Sequence, residues 1–263
     1  MTEWLFNLPI IWMALVIFLG SYLVAAAVYL IVMRLAVNDR VRAFKALSPG
    51  MLPPLGILFG LLVGFMAAQV WSDFERAKLA VATEASALRT TILLAESFTG
   101  DTETRLRTLI NRHIEEAVNE EWPEMAQQQE TLRDLPVTLI EALKITLALT
   151  PTSESQKVAL HEIVAALEKA LDARRQRIIL SQSTITPIKW SALLLQALCT
   201  LIAISMVHSD NRLTCGIALT LFSTGIALSV LLMAIYCRPF SGAVGPELLQ
   251  QVITSEANDR SSR

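Results

Sequence analysis

Charge is scarce in this chain. Asp, Glu, Lys and Arg make up 17% of its residues, against about 25% in an ordinary soluble domain. The shortfall is local rather than uniform, which excludes a wholly soluble globule. The net charge of −2 offers no electrostatic footprint for nucleic acid. Cysteine is rare and its count is odd. Cys199, Cys215 and Cys237 lie in or at the edge of apolar runs, so they suit small buried hydrophobes rather than a disulfide framework. His113, His161 and His208 are far apart, with no second ligand at metal spacing, so neither a metal site nor a cofactor is expected. There is no Gly-rich phosphate loop, no serine elbow and no intramembrane pair of ionisable residues, which argues against an enzyme and against a proton-coupled transporter. No basic segment precedes the first apolar run, and that run is too long for a signal peptide, so it reads as a retained helix. β-type alternation and sequence repeats are missing as well.

What is present is four apolar runs, at roughly 10–33, 51–71, 188–208 and 213–236. Each is about the 20 residues a helix needs to cross about 30 Å of hydrocarbon. The expected fold is therefore an all-α integral membrane protein, with four transmembrane helices in a 2+2 arrangement around a helical soluble domain. Residues 1–71 hold the first pair of helices, 72–186 the extramembrane domain, 187–236 the second pair and 237–263 a C-terminal tail. The lipid bilayer is the first partner implied.

Charge suggests an orientation. The short loop 34–50 holds Arg34, Arg40, Arg42 and Lys45 against Asp39, whereas the N-terminus holds Glu3. Short basic loops stay in the cytoplasm, which sends 72–186 to the periplasmic side. Bases also flank the polar middle (Arg76, Lys78, Arg174, Arg175, Arg177, Lys189), but long segments translocate largely regardless of charge. Trp71, Trp190 and Tyr236 fall at one expected membrane face, the depth that interfacial aromatics prefer.

The second run starts with Pro53 and Pro54, where a missing N–H costs least. Gly56, Gly60, Gly64 and Ala68 then recur every fourth position and form one slowly drifting ridge. Such a ridge is either a helix–helix seam or a pore-lining face. Phe65 beside it is either a hydrophobic constriction or an ordinary packing residue. No Gly or Pro interrupts 73–97, so this helix should continue well past the membrane until Gly100, with Asp101 or Thr102 capping the next. Eleven residues turn a helix by about 1100°, which sets Glu75 within about 20° of Gly64. On a pore-lining ridge, a ring of Glu75 would favour cations; otherwise it is an exposed charge whose partner is Lys78. Glu84 lies half a turn out of phase, facing the soluble helices. Arg174, Arg175 and Arg177 are its natural partners, as a structural clamp or as an anion or lipid-headgroup site.

Three further helices are expected in the polar middle. The first spans about 102–121, with Leu106, Leu109, Ile110, Ile114, Ala117 and Val118 inward and Pro123 beyond its end. The second starts at Pro136, with Leu139, Leu143, Ile145 and Leu147 inward. The third runs from a Ser153 or Ser155 cap to about 182, with Leu160, Ile163, Val164, Leu167 and Leu171 inward. Arg238, Pro239, Phe240, Ser241 and Gly242 read as a turn folding the tail back onto the bundle.

Several segments resemble the bestrophin-like domain family when taken together. They are Gly60-Leu61-Leu62-Val63-Gly64-Phe65, Val70-Trp71-Ser72-Asp73-Phe74-Glu75-Arg76-Ala77, Thr83-Glu84-Ala85-Ser86-Ala87-Leu88, Arg174-Arg175-Gln176-Arg177 ahead of Pro187 and Trp190, and Arg238-Pro239-Phe240-Ser241-Gly242. The resemblance covers about 50–245. Where that family usually has an acid before its Arg-Pro-Phe-Ser-Gly segment, this chain has Cys237. The resemblance implies a bacterial membrane protein, a multi-helix homo-oligomer with a central pore, and a distant relation to bestrophin anion channels. The expected function is an oligomeric ion channel of a bacterial inner membrane, with a permeant ion of unspecified identity. The alternative is a non-conducting membrane protein whose soluble helices bind a partner or sense envelope stress.

Overall fold

The computed structural model describes residues 8–36, 44, 50–98, 100–129, 132–133, 135–183 and 185–261, with side chains as far as Thr254. Glu3, Asp39, Arg40, Arg42 and Lys45, on which the orientation argument leans, lie outside the described residues. In chain order the helices are α1 (Ile10–Leu35), α2 (Leu52–Ala95), α3 (Asp101–Glu116), a π-turn (Ala117–Glu121), α4 (Trp122–Ala126), α5 (Val137–Leu147), α6 (Glu154–Ser181), α7 (Pro187–Val207), α8 (Arg212–Tyr236), a 3₁₀ turn (Pro239–Ser241) and α9 (Glu247–Ser261). No strand occurs among the described residues. The chain divides into two compact units, Met1–Ser72 with Thr184–Cys237, and Asp73–Ser183 with Arg238–Arg263.

The first unit holds α1, the start of α2, α7 and α8. All four helices are long and apolar enough to cross a bilayer. Helices α1 and α8 run antiparallel: Met13 and Ile17 pack with Ala227 and Ala234, and the Tyr22 and Thr224 hydroxyls lie 3.0 Å apart. A second cluster joins α2, α7 and α8 through Phe59, Met66, Val70, Leu193, Leu201, Leu219 and Met233. Polar ties between helices are few. Gln196 Nε2 donates to the Leu55 carbonyl at 3.3 Å, and Lys189 Nζ to Gln69 Oε1 at 2.6 Å. Asn211 caps α8 by accepting from Leu213 N at 3.0 Å and Thr214 N at 3.2 Å. The Trp71 and Tyr236 rings meet edge to face, 5.8 Å between centroids. Ile11, Leu15, Leu19 and Leu23 face outward, as a lipid-facing surface requires.

The second unit is a helical bundle around Val81, Leu88, Leu106, Ile110, Ile114, Leu139, Ile163, Leu167 and Ile178, all fully buried. Helix α2 continues without a break to Ala95, as the Gly- and Pro-free stretch anticipates. Gly100 follows at φ +90, a backbone that an L side chain adopts only under strain. Ser153 caps α6, its hydroxyl accepting from Gln156 N at 3.2 Å.

Four details depart from the sequence reading. Neither Asp101 nor Thr102 caps α3, which starts at Asp101 after Gly100 with no side-chain cap on its N-terminus. Pro123 does not lie beyond the helix that starts at Asp101. That helix passes through the π-turn, closed by the Trp122 N–H on the Ala117 carbonyl, and Pro123 sits in the first turn of α4 where its missing N–H is tolerated. On α5 the buried set is Thr138, Leu139, Ala142 and Thr146, while Leu147 is 64% exposed. The four-residue step outweighs hydrophobicity there, because Thr146 satisfies its hydroxyl on the Ala142 carbonyl at 2.8 Å. On α6 the core face is rich in alanine (Ala159, Ala166, Ala170, Ala173) beside Ile163 and Leu167, whereas Leu160, Val164 and Leu171 are half-buried. Small side chains let neighbouring helices approach closely.

Candidate functional site: an open helix face and a buried charge network

Helix α2 has exposed positions at regular spacing in each unit. In the first unit, Gly56, Ile57, Gly60, Leu61, Gly64, Phe65 and Ala68 are exposed, Phe65 at 68%. A methyl group added at Gly56, Gly60 or Gly64 would meet no atom within 4 Å. Among the described residues, the glycine ridge is therefore not a seam with another helix of the same chain. In the second unit the exposed positions of α2 are Glu75, Arg76, Lys78, Leu79, Ala82, Ser86, Arg89 and Leu93; Glu75, Leu79, Ala82, Ser86, Arg89 and Leu93 are spaced alternately by four and three residues. That spacing keeps them on one helix face. Glu75 Oε1 lies 3.8 Å from Lys78 Nζ, and both side chains are about half exposed.

The opposite side of α2 enters a buried charge network within the second unit. Glu84 is fully buried. Arg177 of α6 donates to it twice, Nε to Oε2 at 2.8 Å and Nη2 to Oε1 at 3.2 Å. Arg177 Nη2 also donates to Glu121 Oε2 at 2.7 Å, and Nη1 faces the Met125 sulfur at 3.5 Å. Arg174 Nε donates to Glu121 Oε1 at 2.7 Å. His113 of α3, buried as well, sits 3.1 Å from Glu84 Oε1 through Nε2. An ionised carboxylate can only accept, so Nε2 carries the hydrogen there. The Arg177 guanidinium lies over the Trp122 ring at 5.5 Å, and Phe240 meets the same ring edge to face at 5.4 Å.

Burial by itself would push the Glu84 carboxyl up. The Arg177 charge, the His113 hydrogen bond and the remaining contacts outweigh it and hold the group down at about 2. Glu84 is thus a carboxylate at every physiological pH. Two acids face two arginines, and Arg177 has all three guanidinium nitrogens engaged and no exposure. This geometry does the work of a clamp joining α2, α3, the π-turn and α6; a buried pair of this kind fixes packing register more than it adds net stability. The π-turn matters here because an extra residue in the turn re-aims Glu121 toward both arginines.

Of the sequence candidates, the structure brings Glu84, Arg174, Arg177 and Phe240 into one cluster. It leaves Arg175 outside, exposed and 3.3 Å from Asp172. The tail turn closes through the Ser241 hydroxyl donating to the Arg238 carbonyl at 2.9 Å and Val244 N to the Pro239 carbonyl at 2.7 Å, with Gly242 at φ +136. His113, Glu121 and Trp122 are network members that sequence reasoning passed over. His113 had a signal: it interrupts the buried stripe of Leu106, Ile110 and Ile114, and a polar residue on such a stripe needs a buried partner. Among the described residues no group of three metal-ligating side chains forms.

The family model for the bestrophin-like domain matches residues 19–245. The chain belongs to the bestrophin-like family. This bestrophin-like chain also shares its fold with the crystal structure of a point mutant of a bacterial bestrophin homologue from Klebsiella pneumoniae. The likeness covers 92% of this chain and 97% of that one, with a TM-score of 0.66 at 13% identity. No curated protein matches the bestrophin-like sequence.

Proposed function

We propose that this protein is a homo-oligomeric ion channel of a bacterial inner membrane, in which copies of α2 surround a shared axis. The observation that carries the reading is the uncovered face of α2, which presents small residues and Phe65 in one unit and Glu75 to Leu93 in the other. A 44-residue helix is about 66 Å long, far more than a bilayer requires. A helix this long with one bare side is economically explained by other copies of itself. The helix pairs before and after the polar segment share one bilayer in this reading, and the basic short loop sends the polar segment to the periplasmic side. Neither an enzymatic activity nor a cofactor belongs to it. Membership of the bestrophin-like family supports the channel class.

Purified protein in liposomes should pass ions. Phe65→Ala should raise the flux if Phe65 narrows the path. Tight liposomes containing a monomer would end the proposal. A second reading, a non-conducting membrane protein with a partner on its soluble bundle, draws on Leu135, Val137, Leu147 and Val158, each 64% exposed or more. One stable partner, lost on deleting 102–182 from protein whose membrane helices remain folded, would favour it.

A further inference from the structure

Within the first unit, α1 and α8 leave an open groove between them. It holds about 440 Å³, and its walls include Tyr22, Ala25, Ala26 and Tyr29 of α1 and Gly216 and Thr220 of α8. Gly216 and Thr220 also border a second hollow, of about 350 Å³, that reaches Arg212. A methyl group added at Gly216 would meet no atom within 4 Å. The threonines keep their hydroxyl hydrogens to themselves: Thr220 Oγ1 donates to the Gly216 carbonyl and Thr224 Oγ1 to the Thr220 carbonyl, both at 2.8 Å. Two bases stand at one end of this groove. The 3.0 Å contact of Tyr22 with Thr224 sets the antiparallel register, and twelve residues along each helix from that pair lie Arg34 and Arg212. Both are thus about 18 Å from the pair along the helix axes, close to the roughly 15 Å depth of one hydrocarbon leaflet. Arg34 and Arg212 are exposed and make no ion pair or hydrogen bond among the described residues, whereas Asp210 nearby has a partner of its own. Asn211 already caps α8, so any attraction for an anion here comes from the two side chains.

We infer that the α1–α8 groove binds an anionic phospholipid of the leaflet on the side of the short loop, with its phosphate held by Arg34 and Arg212. In a bilayer an outward apolar groove fills with acyl chains, so the headgroup is what remains to be selected. Guanidinium forks match phosphate oxygens, and each base near the surface favours a net negative headgroup. A zwitterionic lipid offers the same chains, but the two arginines repel its cation. One chain lies against Ala25, Ala26 and Gly216, and the other follows the second hollow past Ile217. Tyr29, five residues and about 7.5 Å deeper than Arg34, sets an amphipathic ring near the glycerol esters. Small residues could also admit a helix of a second copy, but parallel contact of two such faces would bring four arginines together. The site is built within the first unit and does not depend on conduction.

The test is native mass spectrometry of purified full-length protein from micelles holding equal amounts of phosphatidylglycerol and phosphatidylcholine. Wild type should retain phosphatidylglycerol over phosphatidylcholine on the order of ten-fold. Arg34→Gln with Arg212→Gln should bring that ratio near one, and Arg34→Lys with Arg212→Lys should keep most of it. Gly216→Leu fills the groove and should cut retention of phosphatidylglycerol, while thermal unfolding in lipid-free detergent stays near wild type. Glycerol phosphate, which has the phosphate without the chains, should not compete. A wild type without preference overturns the inference, as does a preference that survives the Arg→Gln pair or Gly216→Leu. Competition by glycerol phosphate would reduce the site to a free-phosphate site and overturn it as well. Cross-linking of Ala26→Cys between copies in native membranes, above the wild-type background, would show a second copy in the groove and overturn it too.

Discussion

Replacing Arg177 by Met isolates the energetics of the buried network. The folded protein holds Glu84 at about 2 against an ordinary 4.5, and each unit corresponds to about 1.4 kcal/mol, so the surroundings favour the ionised carboxylate by about 3 kcal/mol. Breaking one partner out of a buried pair costs about 3–5 kcal/mol on independent grounds. The two figures agree. Arg177→Met should therefore lower the unfolding temperature by roughly 10 °C, at about 2–4 °C per kcal/mol. The double variant Arg177→Met with Glu84→Gln should recover at least half of that loss, because no bare carboxylate remains and Glu121 keeps Arg174 at 2.7 Å. Intrinsic tryptophan fluorescence in detergent at a fixed scan rate reads both. The acid limb follows from the sign of the shift. Above the unfolded value near 4.5 the carboxylate is ionised in both states and its contribution is complete. As pH falls from there toward 2 the unfolded chain takes up the proton while the folded one does not, and the contribution fades. The gap between wild type and Glu84→Gln should therefore narrow between pH 5 and pH 2. A single variant that melts with wild type, or a double variant whose loss is the sum of its parts, refutes the reasoning.

Three further outcomes are expected. Gly64→Leu meets open space within one chain, so thermal unfolding should stay near wild type while ion flux and oligomer yield collapse; unchanged flux would place the ridge away from any axis. Gly100→Ala forces an L side chain to φ +90 and should destabilise by about 1–3 kcal/mol, read as a lower unfolding temperature with no change in helix content by circular dichroism. Ser155→Cys, on the exposed start of α6, should react with a membrane-impermeant maleimide on spheroplasts above the background of the native cysteines; labelling only after lysis would reverse the proposed orientation.

Length and local chemistry made the spans, the unbroken α2, the Gly100 stop and a serine cap at 153 or 155 legible in the sequence, because each depends on residues within a few positions of one another. The arginine cluster shows where that reach ends. Glu84 and Arg177 are 93 positions apart, and no local rule distinguishes Arg177, which takes the carboxylate, from Arg175, which turns to Asp172 three residues away in solvent. Packing chose between them: the face of α6 that meets the bundle carries Ala170, Ala173, Arg174 and Arg177 together. The same is true of the glycine ridge. Its spacing announces that backbones can come close there, but that no described helix of the same chain fills the space emerges only once the other helices have found their places, since burial is a property of the packed whole and a sequence carries only the capacity for it.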